Sequence, residues 1–265
     1  MKINFWLVDA FTDQPFKGNP AAVMLVDDFP SDQICQKIAQ EIHYSETAFV
    51  KPIKYEQFQL RWFSPKVEVD FCGHATLAAA HVLLHENIVQ DQELHFITKS
   101  GPLRVTKADD NLLLLNLPLQ KGEEDVDLKI FKSILEVPVL KAVRVINDVI
   151  VEIPEDINLQ SLHVDIKRLE DTKFRGIIIT QKSKGDFDFI SRFFVPNESI
   201  TEDPVTGSAH CKLADYWMHK LKKTEFKAYQ ASSRGGVIDI EVQGNRVLLK
   251  SQATILMRGS WIANT

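Results

Sequence analysis

RWFSPKVEVDFCGHATLAAAHVLLH, residues 61–85, is the stretch on which the fold turns. From Gly73 onward nearly every position is small or apolar, so a helix over 73–85 has no polar face to offer to water and must be wrapped by other structure. A second stretch, RFFVPNESITEDPVTGSAHCKLADYWMHKL (192–221), follows the same plan: R-x-F-x-P, a connecting segment, then a glycine-led and mostly apolar helix over 207–221. The two copies stay in register well beyond the helices. Gly73 and Gly207, Ala75 and Ala209, Gly101 and Gly235, and Asn111 and Asn245 are all 134 residues apart. Only the step from proline to glycine differs, 8 residues in the first copy and 11 in the second, so three residues enter the second copy where it reads TEDPVTG.

An internal repeat of this kind predicts two pseudo-equivalent halves. Around the buried helices lie many short β-type runs, among them 3–8, 21–26, 47–50, 57–63, 112–117, 176–180 and 237–242. Helices are fewer. One amphipathic surface helix is expected to open at Ser31, a good N-cap, with Ile34, Ile38 and Ile42 four apart on one face. The fold class is therefore α/β in the α+β sense: two strand-rich sheets, each curled about one central helix. The domains fall at 1–122 and 123–265, joined in the charged stretch 121–127, with the final strands able to pack back on the N-terminal domain. Ligand pockets favour domain interfaces, which makes the cleft between the halves the expected site.

Composition narrows the function classes. With 265 residues, 45% hydrophobic and 25% charged, the chain has enough apolar content for a folded core. A net charge of −5 without blocks of like charge argues against nucleic acid as a partner. No run approaches the roughly 18 apolar residues that span a bilayer. The opening MKINFWLVDAF lacks a signal peptide's apolar core, so it is expected to stay in the mature chain. Three widely spaced cysteines, Cys35, Cys72 and Cys211, fit a reducing cytoplasm. Neither G-x-G-x-x-G after a strand nor G-x-x-x-x-G-K-[ST] occurs, which removes support for nucleotide cofactors.

Three places hold candidate chemistry. In HYSETAFV (43–50), Glu46 opens an otherwise apolar strand. A carboxylate at the lip of an apolar pocket is pushed toward a useful pKa by lost solvation, although a solvent-facing strand-end glutamate reads the same in sequence. The helix openings CGHAT (72–76) and TGSAH (206–210) present unpaired first-turn N–H groups behind Gly73 and Gly207, a design that grips a carboxylate; tight turning or close packing also explains the glycines. Asp203 precedes a proline and is therefore pushed into an extended conformation, facing either the cleft or the dipole of the following helix. His81 and His85, four apart, have zinc-like spacing but lack the accompanying glutamate or cysteines, and no metal is expected there. Cys72 has only weak support as a nucleophile, and Ser208 lacks a nucleophile-elbow context.

The set VDAFTDQPFKGNPAAV (8–23), SETAFV (45–50), LRWFSP with EVDFCGHATLAAA (60–80) and EDPVTGSAH (202–210) closely resembles the PhzF-like family of phenazine-biosynthesis isomerases, over essentially the whole chain. The resemblance implies the diaminopimelate-epimerase-like fold and a homodimer using neither cofactor nor metal. The type enzyme isomerises trans-2,3-dihydro-3-hydroxyanthranilate by shifting a ring proton. Carried over by motif, Glu46 becomes the general acid/base, His74 and Asp203 its polar partners, and Gly73, Gly207 and Ser208 the substrate-holding residues at the helix openings. Two-cysteine racemases share the fold, but the counterpart of Cys72 is Thr206, too weak a base to serve as the second. An epimerase using Cys72 with another base, and a metabolite-binding protein without catalysis, stand as alternatives.

Overall fold

The computed structural model describes residues 2–54, 56–108, 111–196 and 200–262. It divides into two compact units, Met1–Asn116 with Lys250–Thr265, and Leu117–Leu249. The first half of the chain runs β1 Ile3–Ala10, β2 Asn19–Leu25, α1 Asp32–Ile42, β3 Glu46–Lys54, β4 Gln57–Phe63, β5 Glu68–Val69, α2 Gly73–His85, β6 Glu93–Thr98, β7 Gly101–Lys107 and β8 Leu113–Pro118. The second half runs β9 Glu124–Asp125, α3 Leu128–Leu135, β10 Lys141–Val145, β11 Asp148–Glu152, α4 Ile166–Glu170, β12 Gly176–Lys182, β13 Phe189–Phe194, β14 Glu202–Asp203, α5 Gly207–Leu221, β15 Glu225–Gln230, β16 Gly236–Gln243 and β17 Arg246–Ser251. The last strand, β18 Ala253–Trp261, lies in the first unit.

In the first unit β1 is antiparallel to both β2 and β18. β2 pairs parallel with β3, β3 antiparallel with β4, and β4 parallel with β6. The second unit repeats these steps: β11 pairs parallel with β12, β12 antiparallel with β13, and β13 parallel with β15. Each buried helix is α2 or α5. All of Gly73–Ala80 is buried on α2, which packs against β1, β2, β3 and β18, as expected of a helix without a polar face. On α5 the ring of Trp217 is fully buried and stacks on Phe189 of β13, with centroids 5.5 Å apart.

The R-x-F-x-P repeat has a local physical cause. Arg61 donates Nε to Glu68 Oε1 at 2.8 Å and its guanidinium lies 5.1 Å from the Phe63 ring. Arg192 donates Nε to Glu202 Oε1 at 2.7 Å and lies 4.7 Å from the Phe194 ring. In both copies the arginine is sandwiched between its own aromatic and the carboxylate of the short strand that leads into the helix. The two-residue strands β5 and β14 hydrogen-bond back to β4 and β13 accordingly; Glu68 pairs with Phe63 and Glu202 with Phe194, so the three-residue insertion falls ahead of TEDPVTG and not within it.

Ser31 caps α1 as its sequence predicts, its side chain accepting from the Ile34 N–H, and Ile38 is buried on the inner face with Cys35 and Ala39. The short helices α3 and α4 escape a reading by periodicity because eight and five residues are too few to display one. Phe131, Ile134 and Leu135 of α3 nevertheless anchor the second unit's core with Val149, Val151, Ile177 and Ile179. Among the described residues no helix is long and apolar enough to cross a membrane.

Candidate active site

Parallel pairing of β2 with β3 sets Glu46 beside Ala21, so the two strands begin side by side and deliver Asn19, Ser45 and Glu46 to one end of the first unit's sheet. The chain returns to that end through β5 and enters α2 at Gly73. There Cys72 is the N-cap in extended conformation, and its side chain makes no capping bond. The carbonyl of Cys72 instead accepts from Thr76 Oγ1 at 2.6 Å, while its thiol sulfur lies 3.4 Å from His74 Nδ1. The other ring nitrogen of His74, Nε2, is 3.3 Å from Glu46 Oε2 and 3.2 Å from Ser45 Oγ. Ser45 Oγ in turn lies 3.3 Å from Asn19 Oδ1 and from the Pro20 carbonyl. Glu46, His74 and Gly73, singled out from the sequence, thus meet at one helix mouth. Ser45, Asn19 and Cys72 complete the group.

Burial decides the protonation of this group. His74 is 5% exposed, and loss of solvation pushes its pKa down to about 3. The contact with Glu46 is therefore a hydrogen bond to a neutral imidazole rather than an ion pair. One tautomer satisfies every neighbour: Nε2–H donates toward Glu46 and Ser45, the Ser45 hydroxyl donates to Asn19 or Pro20, and Nδ1 accepts from the Cys72 thiol. Glu46, with its side chain 20% exposed, is the most open member and the one able to reach a small molecule.

The second unit carries a matching opening. Thr206 is the N-cap of α5 in the same extended conformation as Cys72, again without a side-chain capping bond. Its carbonyl accepts from the residue four further on, here His210 Nδ1 at 2.7 Å. The Thr206 hydroxyl donates to Asp203 Oδ2 at 2.6 Å, and Gln230 accepts from the Thr206 N–H at 2.8 Å while donating to the Asp203 carbonyl at 2.7 Å. Asp203 is thus fixed at the mouth of α5, whereas its neighbour Glu202 is occupied by Arg192. Gly207 is buried and Ser208 half-buried at the same opening. Gln230 carries no motif in the sequence and emerges only because β15 runs past this helix.

Elsewhere the candidate chemistry thins out. The rings of His81 and His85 lie 5.6 Å apart; burial, with His85 and Lys107 nearby, pushes the His81 pKa to about 4. Cys35 and Cys211 are buried free thiols, pushed up to about 11 and about 12 by lost solvation, which makes them inert as nucleophiles at neutral pH.

Comparison with known proteins bears on the family and the fold. The profile of the family described as phenazine biosynthesis-like protein matches residues 8–259. A Halalkalibacterium halodurans protein named as an uncharacterized isomerase is 44% identical over 260 residues, covering 97% of this chain and 98% of its own. The crystal structure of a PhzF-family phenazine biosynthesis protein from Enterococcus faecalis overlays with a TM-score of 0.94 at 36% identity, covering 99% of this chain and 100% of the other. A hydroxyproline epimerase from Agrobacterium vitis shares the fold at a TM-score of 0.58 and 9% identity, covering 98% of this chain and 92% of its own. The fold is thus the epimerase-like one, and this chain belongs to the phenazine biosynthesis-like family.

Proposed function

We propose that this chain, an enzyme of an isomerase family, moves a proton between carbons of a small cyclic carboxylate akin to trans-2,3-dihydro-3-hydroxyanthranilate, with Glu46 as general acid/base. The observation that carries the reading is the pairing of a partly exposed Glu46 carboxylate with a buried imidazole 3.3 Å away. An imidazole with a pKa near 3 does not compete for a proton at neutral pH. The proton taken from a substrate carbon then rests on Glu46 and returns from it to another carbon. His74 contributes a fixed donor to the ionised carboxylate, and the Cys72 thiol and Ser45 hydroxyl hold its tautomer.

The α2 opening, with its N-cap side chain turned elsewhere, offers first-turn N–H groups and the positive end of a helix dipole to the substrate's carboxylate. Asp203, Gly207 and Ser208 are assigned to holding the substrate through their motif, with Asp203 already oriented by Thr206 and Gln230. A homodimer in the cytoplasm is the proposed state.

A Cys72-based epimerase is the rival reading, favoured by the thiol's 3.4 Å approach to His74 and opposed by Thr206, whose hydroxyl is spent on Asp203. Incubation with trans-2,3-dihydro-3-hydroxyanthranilate in deuterated water, followed by NMR, tests the proposal. Glu46→Gln should cut isomerisation and deuterium uptake by about 10²–10⁴-fold. Full activity in that variant refutes Glu46 as the shuttle, and full activity in Cys72→Ser refutes the Cys72-based epimerase.

A further inference from the structure

Among the described residues one group of histidine, cysteine and acidic side chains is tight enough to share a metal ion: Glu46, Cys72 and His74, each offering one ligand atom, with all three atoms within 4.8 Å of one another. We propose that this group is a binding site for a single thiophilic divalent cation of the zinc type, acting as a blocking ion that switches the enzyme off rather than as a cofactor.

Two of the three ligand atoms already stand at the spacing of neighbouring corners of a tetrahedron. His74 Nε2 lies 3.3 Å from Glu46 Oε2 and 4.0 Å from Cys72 Sγ. Zinc bonds of about 2.1 Å to nitrogen and oxygen and about 2.3 Å to sulfur put tetrahedral ligand pairs roughly 3.4–3.6 Å apart, a spacing that Glu46 Oε2 and His74 Nε2 already match, while Cys72 Sγ, nearer His74 Nδ1 at 3.4 Å, joins an ion on Nε2 by rotation about its Cα–Cβ bond. The fourth corner opens on the exposed side of Glu46, where water completes the coordination.

Charge and softness fit as well. Cys72 loses its proton to solvent as the sulfur–metal bond forms, His74 moves its proton from Nε2 to Nδ1 and donates the Nε2 lone pair as neutral imidazole, and Glu46 binds as carboxylate. Two negative charges then meet a dication, and the buried site is left neutral. A thiolate selects zinc-type ions over magnesium or calcium. Ser45, 3.2 Å from His74 Nε2, keeps a hydroxyl beside the ion for hydrogen bonding to its water.

That blocking follows from binding rests on the function proposed above, because the ion occupies Glu46 and His74 together. Binding itself does not, and the experiment separates the two. Cobalt(II) is titrated into the metal-free protein as a spectroscopic stand-in for zinc. A thiolate-to-cobalt charge-transfer band with intense visible bands of a four-coordinate ion, at one equivalent, is the expected result. Zinc should displace it, magnesium should not, and Cys72→Ser and Cys72→Ala should abolish it with at least about a 10-fold loss of zinc affinity. Substitution of Cys35 or Cys211 should leave it intact. Absence of the band, or its survival in the Cys72 variants, overturns the site whether or not a substrate has been found. A band at one equivalent, with deuterium exchange unaffected by zinc, overturns the blocking role.

Discussion

Asp148 is fully buried between two cations, and its removal should cost far more than removal of either partner. Arg175 grips it through two bonds, Nε to Oδ1 at 2.9 Å and a terminal nitrogen to Oδ2 at 2.7 Å, while Lys212 of α5, only 5% exposed, donates to Oδ2. Burial lowers the Lys212 pKa and Asp148 opposes that shift. In Asp148→Asn the ammonium is left buried without its counter-charge, a change that costs about 3–5 kcal/mol. Arg175 escapes this penalty because its side chain is 41% exposed and can turn to water. In Lys212→Met the carboxylate keeps its two-bond arginine partner and an apolar chain of similar length fills the space, so the cost should stay under about 2 kcal/mol. It follows that Lys212→Met, added to Asp148→Asn, should restore stability. Urea unfolding of the three variants, followed by circular dichroism and tryptophan fluorescence, measures the cycle. Equal losses in the two single variants, or a double variant less stable than Asp148→Asn alone, would refute the reasoning. Because Lys212 sits little more than a turn from Ser208, the same charge triad also anchors the helix whose opening is proposed to hold the substrate.

His74 and His210 are held neutral by burial, with pKa values near 3 and near 4, and His81 near 4 in a less enclosed setting. The unfolded chain binds protons at these groups below about pH 6.5 and the native chain does not, so stability should fall as pH drops from 6.5 toward 4, by about 1 kcal/mol per pH unit for each fully buried histidine. Chemical denaturation at pH 7, 6 and 5 checks the slope, and an NMR titration showing His74 protonating near 6.5 would contradict its cause. Glu68, whose pKa is lowered chiefly by the Arg61 hydrogen bonds, adds its own loss only below about pH 4.5, separable by its dependence on Arg61. The repeat-related glycines Gly101 and Gly235 both have positive φ, but an added Cβ meets nothing within 4 Å at Gly101 and the Tyr229 hydroxyl at 2.1 Å at Gly235. Gly101→Ala should therefore cost about 1 kcal/mol from backbone strain alone, and Gly235→Ala clearly more, as read from melting or urea midpoints.

Much of the fold was legible before any coordinate. One helix with no polar face, a second that is mostly apolar, a constant offset of 134 and a repeated R-x-F-x-P announce two related halves, because chain periodicity and apolar coverage are local properties of sequence. The repeat even carried a three-dimensional fact, since the arginine and the aromatic two residues on, which the motif conserves between the copies, pack together in both. Glu46 stood out as a carboxylate opening an apolar strand and Asp203 as the residue before a proline at a helix opening, whereas His74 came from the family motif.

What the sequence by itself determined was thus the pair of central helices, the cap at Ser31 and the motifs that place the chain in its family. Tertiary structure alone decided which groups touch and which carry charge. Nothing in the order of residues sets His74 Nδ1 against the Cys72 sulfur and Nε2 against Glu46, brings Gln230 to Thr206, or joins Asp148, Arg175 and Lys212. Those contacts depend on side-chain direction and on strands arriving from distant parts of the chain. The neutral state of His74 depends on solvent removed by all of them at once, a quantity that exists only after the chain has packed.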